Sequence, residues 1–214
     1  MKRLLLSLPL LCLCTLVQAK VVMPRFFADG MVLQQQTECR LWGTATPGAS
    51  LVVTASWTHG KWKSRVNADG SFSITITTPT AGGPFTISID DGEKTMLSNV
   101  LVGEVWICSG QSNMEMPMKG FKMQPVEGTT EELLRCKDAK MRLFTVKRHA
   151  AITPQTDVEG EWSEANSESV RNFSATAYYF GRALRQQLDV PVGLIVTAWG
   201  GSACEAWMAA DWLK

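Results

Sequence analysis

Between residues 31 and 101 apolar and polar positions alternate in short runs. Phe72, Ile74 and Ile76 alternate with Ser73, Thr75 and Thr77, and Phe85, Ile87 and Ile89 alternate with Thr86, Ser88 and Asp90. A period of two sends alternate side chains to opposite faces of a strand, so these runs predict half-buried antiparallel strands. Turn chemistry separates them at Thr46-Pro47-Gly48, Asp69-Gly70, Ala81-Gly82-Gly83-Pro84 and Asp90-Asp91-Gly92. About seven strands so spaced predict a β-sandwich domain, residues 20–102.

After Gly103 the pattern turns to strand and helix. Apolar, β-branched runs predict strands at 105–108, 141–146 and 192–197, and Phe173, Ala177, Phe180, Leu184 and Leu188 recur at helical spacing over 174–188. Arg182, Arg185 and Gln186 take the other side of that helix, and Pro191 stops it before the next strand. Such a crossover is the connection a parallel sheet requires. Residues 119–140 read as a long loop with one short helix near 131–135. The predicted fold class is therefore α/β: an antiparallel β-sandwich followed by an incomplete parallel-sheet α/β domain, residues 103–214.

The first 19 residues differ from both regions. Met1-Lys2-Arg3, an apolar stretch from Leu4 to Val17 and the small-residue site Val17-Gln18-Ala19 predict a secretory signal peptide over residues 1–19. The stretch is too short to cross a bilayer comfortably and no later run is long, apolar and uncharged, so no membrane span is expected. Leu11 and Leu13 precede Cys12 and Cys14 where a lipoprotein signal places a small residue. Release into a periplasmic or extracellular space is the expectation. Losing Lys2 and Arg3 takes the 21 basic residues to 19 against 20 acidic ones, a balance that argues against nucleic acid as a partner.

Candidate chemistry lies where predicted strands end. Val105-Trp106-Ile107-Cys108 runs into Ser109-Gly110-Gln111-Ser112-Asn113-Met114, and Pro191 through Thr197 runs into Ala198-Trp199-Gly200-Gly201-Ser202. Open α/β sheets bind ligands at the carboxyl ends of their strands. Ser112 is the candidate nucleophile, with Gln111 and Asn113 beside it to hydrogen-bond backbone or substrate. If the two strands are parallel, the backbone N–H groups of Gly200 or Gly201 share a rim with Ser112 and can face a developing oxyanion. Trp199 reads equally as a surface that stacks on a sugar ring or as core packing, whereas Trp207 reads as a core residue and Trp57 and Trp62 as part of the β domain. The motif is not the Gly-x-Ser-x-Gly elbow, because Asn113 is followed by Met114.

Read together, the blocks from Gly103 through Ser112 to Pro117, Phe173-Ser174-Ala175, and Pro191 to Ile195 with Trp199 to Trp207 resemble the sialic acid-specific 9-O-acetylesterase family of SGNH-type serine esterases. The resemblance covers almost all of the chain after residue 19. It implies a small β domain ahead of a catalytic α/β domain, Ser112 as nucleophile, an acetylated carbohydrate as substrate and no cofactor. Sialic acid is its most specific substrate form; xylan or another acetylated glycan is the alternative. The resemblance further implies a catalytic His and Asp, and another oxyanion-hole side chain, well downstream of the matched segment, so both triad partners are absent from this chain and it reads as an N-terminal fragment, with a naturally truncated, inactive relative as the alternative.

No local residue replaces the missing base. His59 and His149 are the two histidines; His59 falls in a turn of the β domain, and His149 follows a strand within the basic run Lys147-Arg148-His149 with no adjacent carboxylate to orient its ring. No metal-ligand spacing is present. Cys39, Cys108, Cys136 and Cys204 are compatible with disulfides in an oxidising compartment, although Cys108 and Cys204 read first as small apolar packing. Two readings compete with an esterase: a carbohydrate-binding protein without turnover, and a structural adaptor in which Ser112 is incidental.

Overall fold

The computed structural model describes residues 20–213. The expected signal peptide, residues 1–19, lies outside the described residues. Strands β1 (Val32–Gln34), β2 (Glu38–Thr44), β3 (Ser50–Ala55), β4 (Lys61–Arg65), β5 (Ser71–Thr77) and β6 (Gly82–Asp90) precede a 17-residue strand, β7 (Lys94–Gly110). Then follow α1 (Ser112–Glu115), α2 (Thr129–Arg135), β8 (Asp138–Thr145), β9 (Trp162–Ala165), α3 (Ser167–Asn172), α4 (Ala175–Leu188) and β10 (Val192–Ala198). Two short 3-10 turns, Cys204–Trp207 and Ala210–Trp212, close the described chain.

The alternating runs form strands as their period requires. Phe72, Ile74 and Ile76 of β5 are buried, and so are Ile87 and Ile89 of β6. β2 pairs β5 antiparallel in a sheet of their own. A larger sheet runs β4-β3-β6-β7-β10-β8-β9, with β1 parallel to β7. Leu41 and Ile76 of the small sheet share one apolar cluster with Leu51, Val53, Ile87 and Ile89 of the large one. A second cluster gathers Cys108, Leu143, Leu194 and Val196 of the parallel strands with Ala177 and Tyr178 of α4.

β7 serves both clusters. Its first half pairs β6 antiparallel up to Val102, and its second half pairs β10 parallel from Glu104 to Gly110. β10 also pairs β8 parallel, so the three strands expected after Gly103 form one parallel sheet. A fourth, β9, was not expected; it adds antiparallel to β8 through a short run containing Trp162. Its Trp162 ring packs 5.3 Å from Phe144 while its indole N–H donates to the Phe26 carbonyl, contacts that no local pattern records.

The predicted helix 174–188 is α4, capped by the Ser174 hydroxyl accepting from the Ala177 N–H. Its buried face requires correction. Ala177, Tyr178 and Gly181 face the sheet, whereas Phe180 and Leu188 are 39% and 50% exposed. A Cβ at Gly181 would meet Leu194 Cδ1 at 2.5 Å, so the helix comes closest to the sheet at this glycine, and Phe180 and Leu188 are left toward the flanks while Tyr178 is buried. Phe180 instead stacks edge-on against Trp106, centroids 5.1 Å apart. The short helix near 131–135 is α2.

Candidate active site

The register of β7 and β10 sets the geometry. Thr197 lies opposite Ser109 and Ala198 opposite Gly110, so both strands release their chains at the same height on the same rim. Ser112 opens α1 immediately after β7, and the Trp199-Gly200-Gly201-Ser202 turn immediately follows β10. In that turn the Ser202 N–H donates to the Trp199 carbonyl at 3.2 Å and Gly201 takes φ of +78°. A positive φ at the third position belongs to a type II turn, which excludes most side chains there.

Three hydrogen bonds tie the two turns together. The Trp199 N–H donates to the Gly110 carbonyl at 3.0 Å, the Gln111 side-chain amide donates to the Ser202 carbonyl, and the Gly200 N–H donates to Glu115 Oε2 at 2.5 Å. Gly200 lies beside the serine, where an added Cβ would be in ordinary contact with Cα and Cβ of Ser112 at 3.5 Å but would meet Glu115 Oε2 at 2.5 Å. Ser112 is exposed, and among the described residues no hydrogen bond engages its hydroxyl, its N–H or the N–H of Gly201. Asn113 is exposed beside it, its carbonyl accepting from the Thr176 hydroxyl at 3.2 Å.

A cavity of about 460 Å³ adjoins this rim, lined by Arg148, His149, Thr197, Trp199, Ser202 and Trp207 among others. Trp199 and Trp207 are each 38% exposed, and the Trp207 indole N–H donates to the Ser202 hydroxyl at 2.8 Å. Trp207 is therefore a wall of the cavity rather than a core residue, because the chain after the Gly-Gly turn doubles back as a 3-10 turn over the rim. His149 lines the same cavity, and among the described residues no carboxylate or serine pairs with its ring.

Arg148 and Glu115 were not singled out from the sequence. The Arg148 guanidinium pairs with Glu115 Oε1 and lies 5.8 Å over the Trp199 ring. A serine motif followed three residues later by an acid is a signal only once the partner strand is known. Among the described residues the four cysteines are free thiols: Cys108 and Cys136 are buried and Cys204 is exposed, against the packing expected for it. Burial pushes the Cys39 thiol up to about 11. Among the described residues no group of His, Cys, Asp and Glu is placed to hold a metal ion.

A larger cavity, about 520 Å³, lies among α2, the start of β8 and α4. Its wall carries Glu132, 3% exposed, which accepts from the Tyr178 hydroxyl at 2.8 Å and pairs with Arg182.

The profile of the carbohydrate esterase family of sialic acid-specific acetylesterases matches residues 102–213. Human sialate O-acetylesterase is 31% identical over 88% of this chain and the mouse enzyme 30% over 86%. The chain spans 39% and 37% of those two relatives. A solved carbohydrate acetylesterase from Xanthomonas citri superposes with a TM-score of 0.84 at 32% identity, over 90% of this chain and 43% of its own. A sequence profile across just over half of the chain, with relatives at 30% and 31% identity and a shared fold, places this chain in the sialic acid-specific acetylesterase family of carbohydrate esterases.

Proposed function

We propose that the protein is the N-terminal part of a secreted carbohydrate O-acetylesterase, acting on O-acetylated sialic acid through Ser112. The observation that carries this reading is the exposed Ser112 hydroxyl, unpartnered among the described residues, beside Gly200 at the shared end of two parallel strands. Ser112 attacks the acetyl carbonyl and passes its proton to a histidine supplied from beyond the residues matched here. The N–H groups of Ser112 and Gly201 receive the oxyanion; Gly200's own N–H is already engaged by Glu115. Collapse of the tetrahedral intermediate releases the sugar alcohol, and water frees acetate from Ser112. The half-exposed Trp199 and Trp207 supply apolar surface for the sugar.

Two features support a larger sheet. Between Glu104 and Gly110 β7 is hydrogen-bonded along one edge by β10 and has no strand partner along the other among the described residues, where the Val105 N–H donates to Gln34 Oε1. Around that edge Trp106 is 43% and Ile107 71% exposed. Parallel sheets bury both faces, so these positions suit further strand and helix. Export is proposed from residues 1–19, and among the described residues no helix is long and apolar enough to cross a membrane.

Reading the coding DNA past Lys214 and expressing both lengths tests the proposal. The 214-residue chain should release acetate from 9-O-acetylated sialic acid little above background, and the longer product should be active. Ser112→Ala should abolish that activity, and His149→Ala should change it little. Full activity in Ser112→Ala overturns the serine mechanism. A stop codon directly after Lys214, with a stable protein that holds the glycan without turnover, replaces it with the binding reading.

A further inference from the structure

Glu115 stands three residues after Ser112 on α1, and its side chain is 19% exposed. Its two oxygens are spent differently: Oε2 accepts the Gly200 N–H at 2.5 Å and Oε1 faces the Arg148 guanidinium. An exposed ion pair by itself contributes little, whereas a carboxylate accepting a backbone N–H makes one of the stronger, charge-assisted hydrogen bonds. Arg148 reaches in from the segment after β8 and also covers Trp199. Three segments of chain thus converge on one carboxylate, and the group it holds is the glycine that abuts Ser112.

We infer that Glu115 is a positioning residue: its carboxylate sets the Trp199–Gly200 turn against Ser112, and Arg148 fixes the carboxylate in that pose. The functional part of this inference rests on Ser112 being the nucleophile. If Glu115 withdraws, Gly200 loses its acceptor and the adjoining Gly201 N–H swings off the position where an oxyanion would form. A displacement of about 1 Å in such a constellation costs on the order of 100-fold in rate.

Glycine-selective ¹⁵N labelling of the 214-residue chain tests the geometry. In Glu115→Ala the Gly200 amide should move upfield and exchange with solvent about tenfold faster or more. Glu115→Gln retains an acceptor at the same reach and should keep most of the protection. Glu115→Asp keeps the charge but shortens the arm, and should behave like the alanine variant. In the active longer product, kcat should fall about 100-fold in Glu115→Ala and Glu115→Asp with KM within about twofold, and Glu115→Gln should recover most of it. A Gly200 amide indifferent to Glu115→Asp and Glu115→Ala overturns the inference, as does a loss carried by KM with kcat intact. A wild-type enzyme inactive at full length would remove the serine-esterase reading while the glycine amide still reports on Glu115.

Discussion

Ser112 and Glu132 show two uses of a polar side chain. Ser112 is exposed, and among the described residues no hydrogen bond engages its hydroxyl, as its proposed role as nucleophile requires. Glu132 is buried and fully engaged. Burial alone would raise its carboxyl, but the Tyr178 hydroxyl and the Arg182 guanidinium outweigh that and hold it below the ordinary value of 4.5. Because the folded state favours the carboxylate, its contribution is complete above about pH 4.5 and is lost as pH falls through the lowered value. Glu132→Gln should therefore flatten the loss of stability on acidification, measured by urea unfolding between pH 3 and 6. Glu132→Ala should cost about 3 kcal/mol at pH 7, since it leaves the buried Tyr178 hydroxyl unpaired. The exposed turn that carries Ser112 was legible from its motif; the engagement of Glu132 was not, because an acid in a short helix looks solvated until Tyr178 and Arg182 arrive from α4.

At the scale of elements, α4 and β9 show how local pattern and tertiary packing diverge. The spacing of Phe173, Ala177, Phe180, Leu184 and Leu188 identified a helix and its length. It misassigned part of the buried face, because apolarity alone does not record how closely two backbones can approach. Gly181 decides that distance. Gly181→Ala gains about 1 kcal/mol of helix propensity but drives a methyl into the buried Leu194 side chain, an overpacking that costs about 1–3 kcal/mol. The variant should be net destabilised by about 1 kcal/mol in thermal or urea unfolding, and the paired Gly181→Ala, Leu194→Val should recover part of it. An unchanged midpoint for Gly181→Ala would show that the helix has slack here. β9 escaped prediction because its four residues stabilise nothing alone and gain by pairing with β8.

Across the whole molecule β7 joins two apolar clusters through one unbroken strand, and side chains reinforce the join. Buried Arg142 on β8 donates to the Gly30 carbonyl at 3.4 Å and to Asn99 Oδ1 at 3.1 Å, and it pairs with Glu164 at 3.2 Å. The Trp42 indole donates to the Thr156 carbonyl at 3.2 Å, tying the long segment after β8 back to β2. The boundary expected near Gly103 is a proposal about folding units rather than a break in the chain's secondary structure. Export is the other prediction at this scale. Intact-mass analysis of protein recovered from the exported fraction should give an N-terminus at Lys20 without added lipid; a lipid-sized addition at Cys12 or Cys14 would overturn it.

Periodicity by itself determined that β5 and β6 are half-buried strands, that a helix precedes Pro191, and that the chain changes from antiparallel to parallel organisation near Gly103. These follow from backbone geometry, which repeats every two or 3.6 residues and so leaves its mark in neighbouring letters. The motif around Ser112 and the Gly-Gly turn were legible for a related reason: tight turns after buried strands restrict residue type. What tertiary structure decided is everything that depends on register between distant strands. The alignment of Ala198 with Gly110 brings Gly200 against Ser112, engages the Gly200 N–H with Glu115 and lays Arg148 over Trp199. Such contacts join residues far apart in sequence, and their geometry is set by the pairing of β7, β10 and β8 rather than by any local preference of the residues themselves.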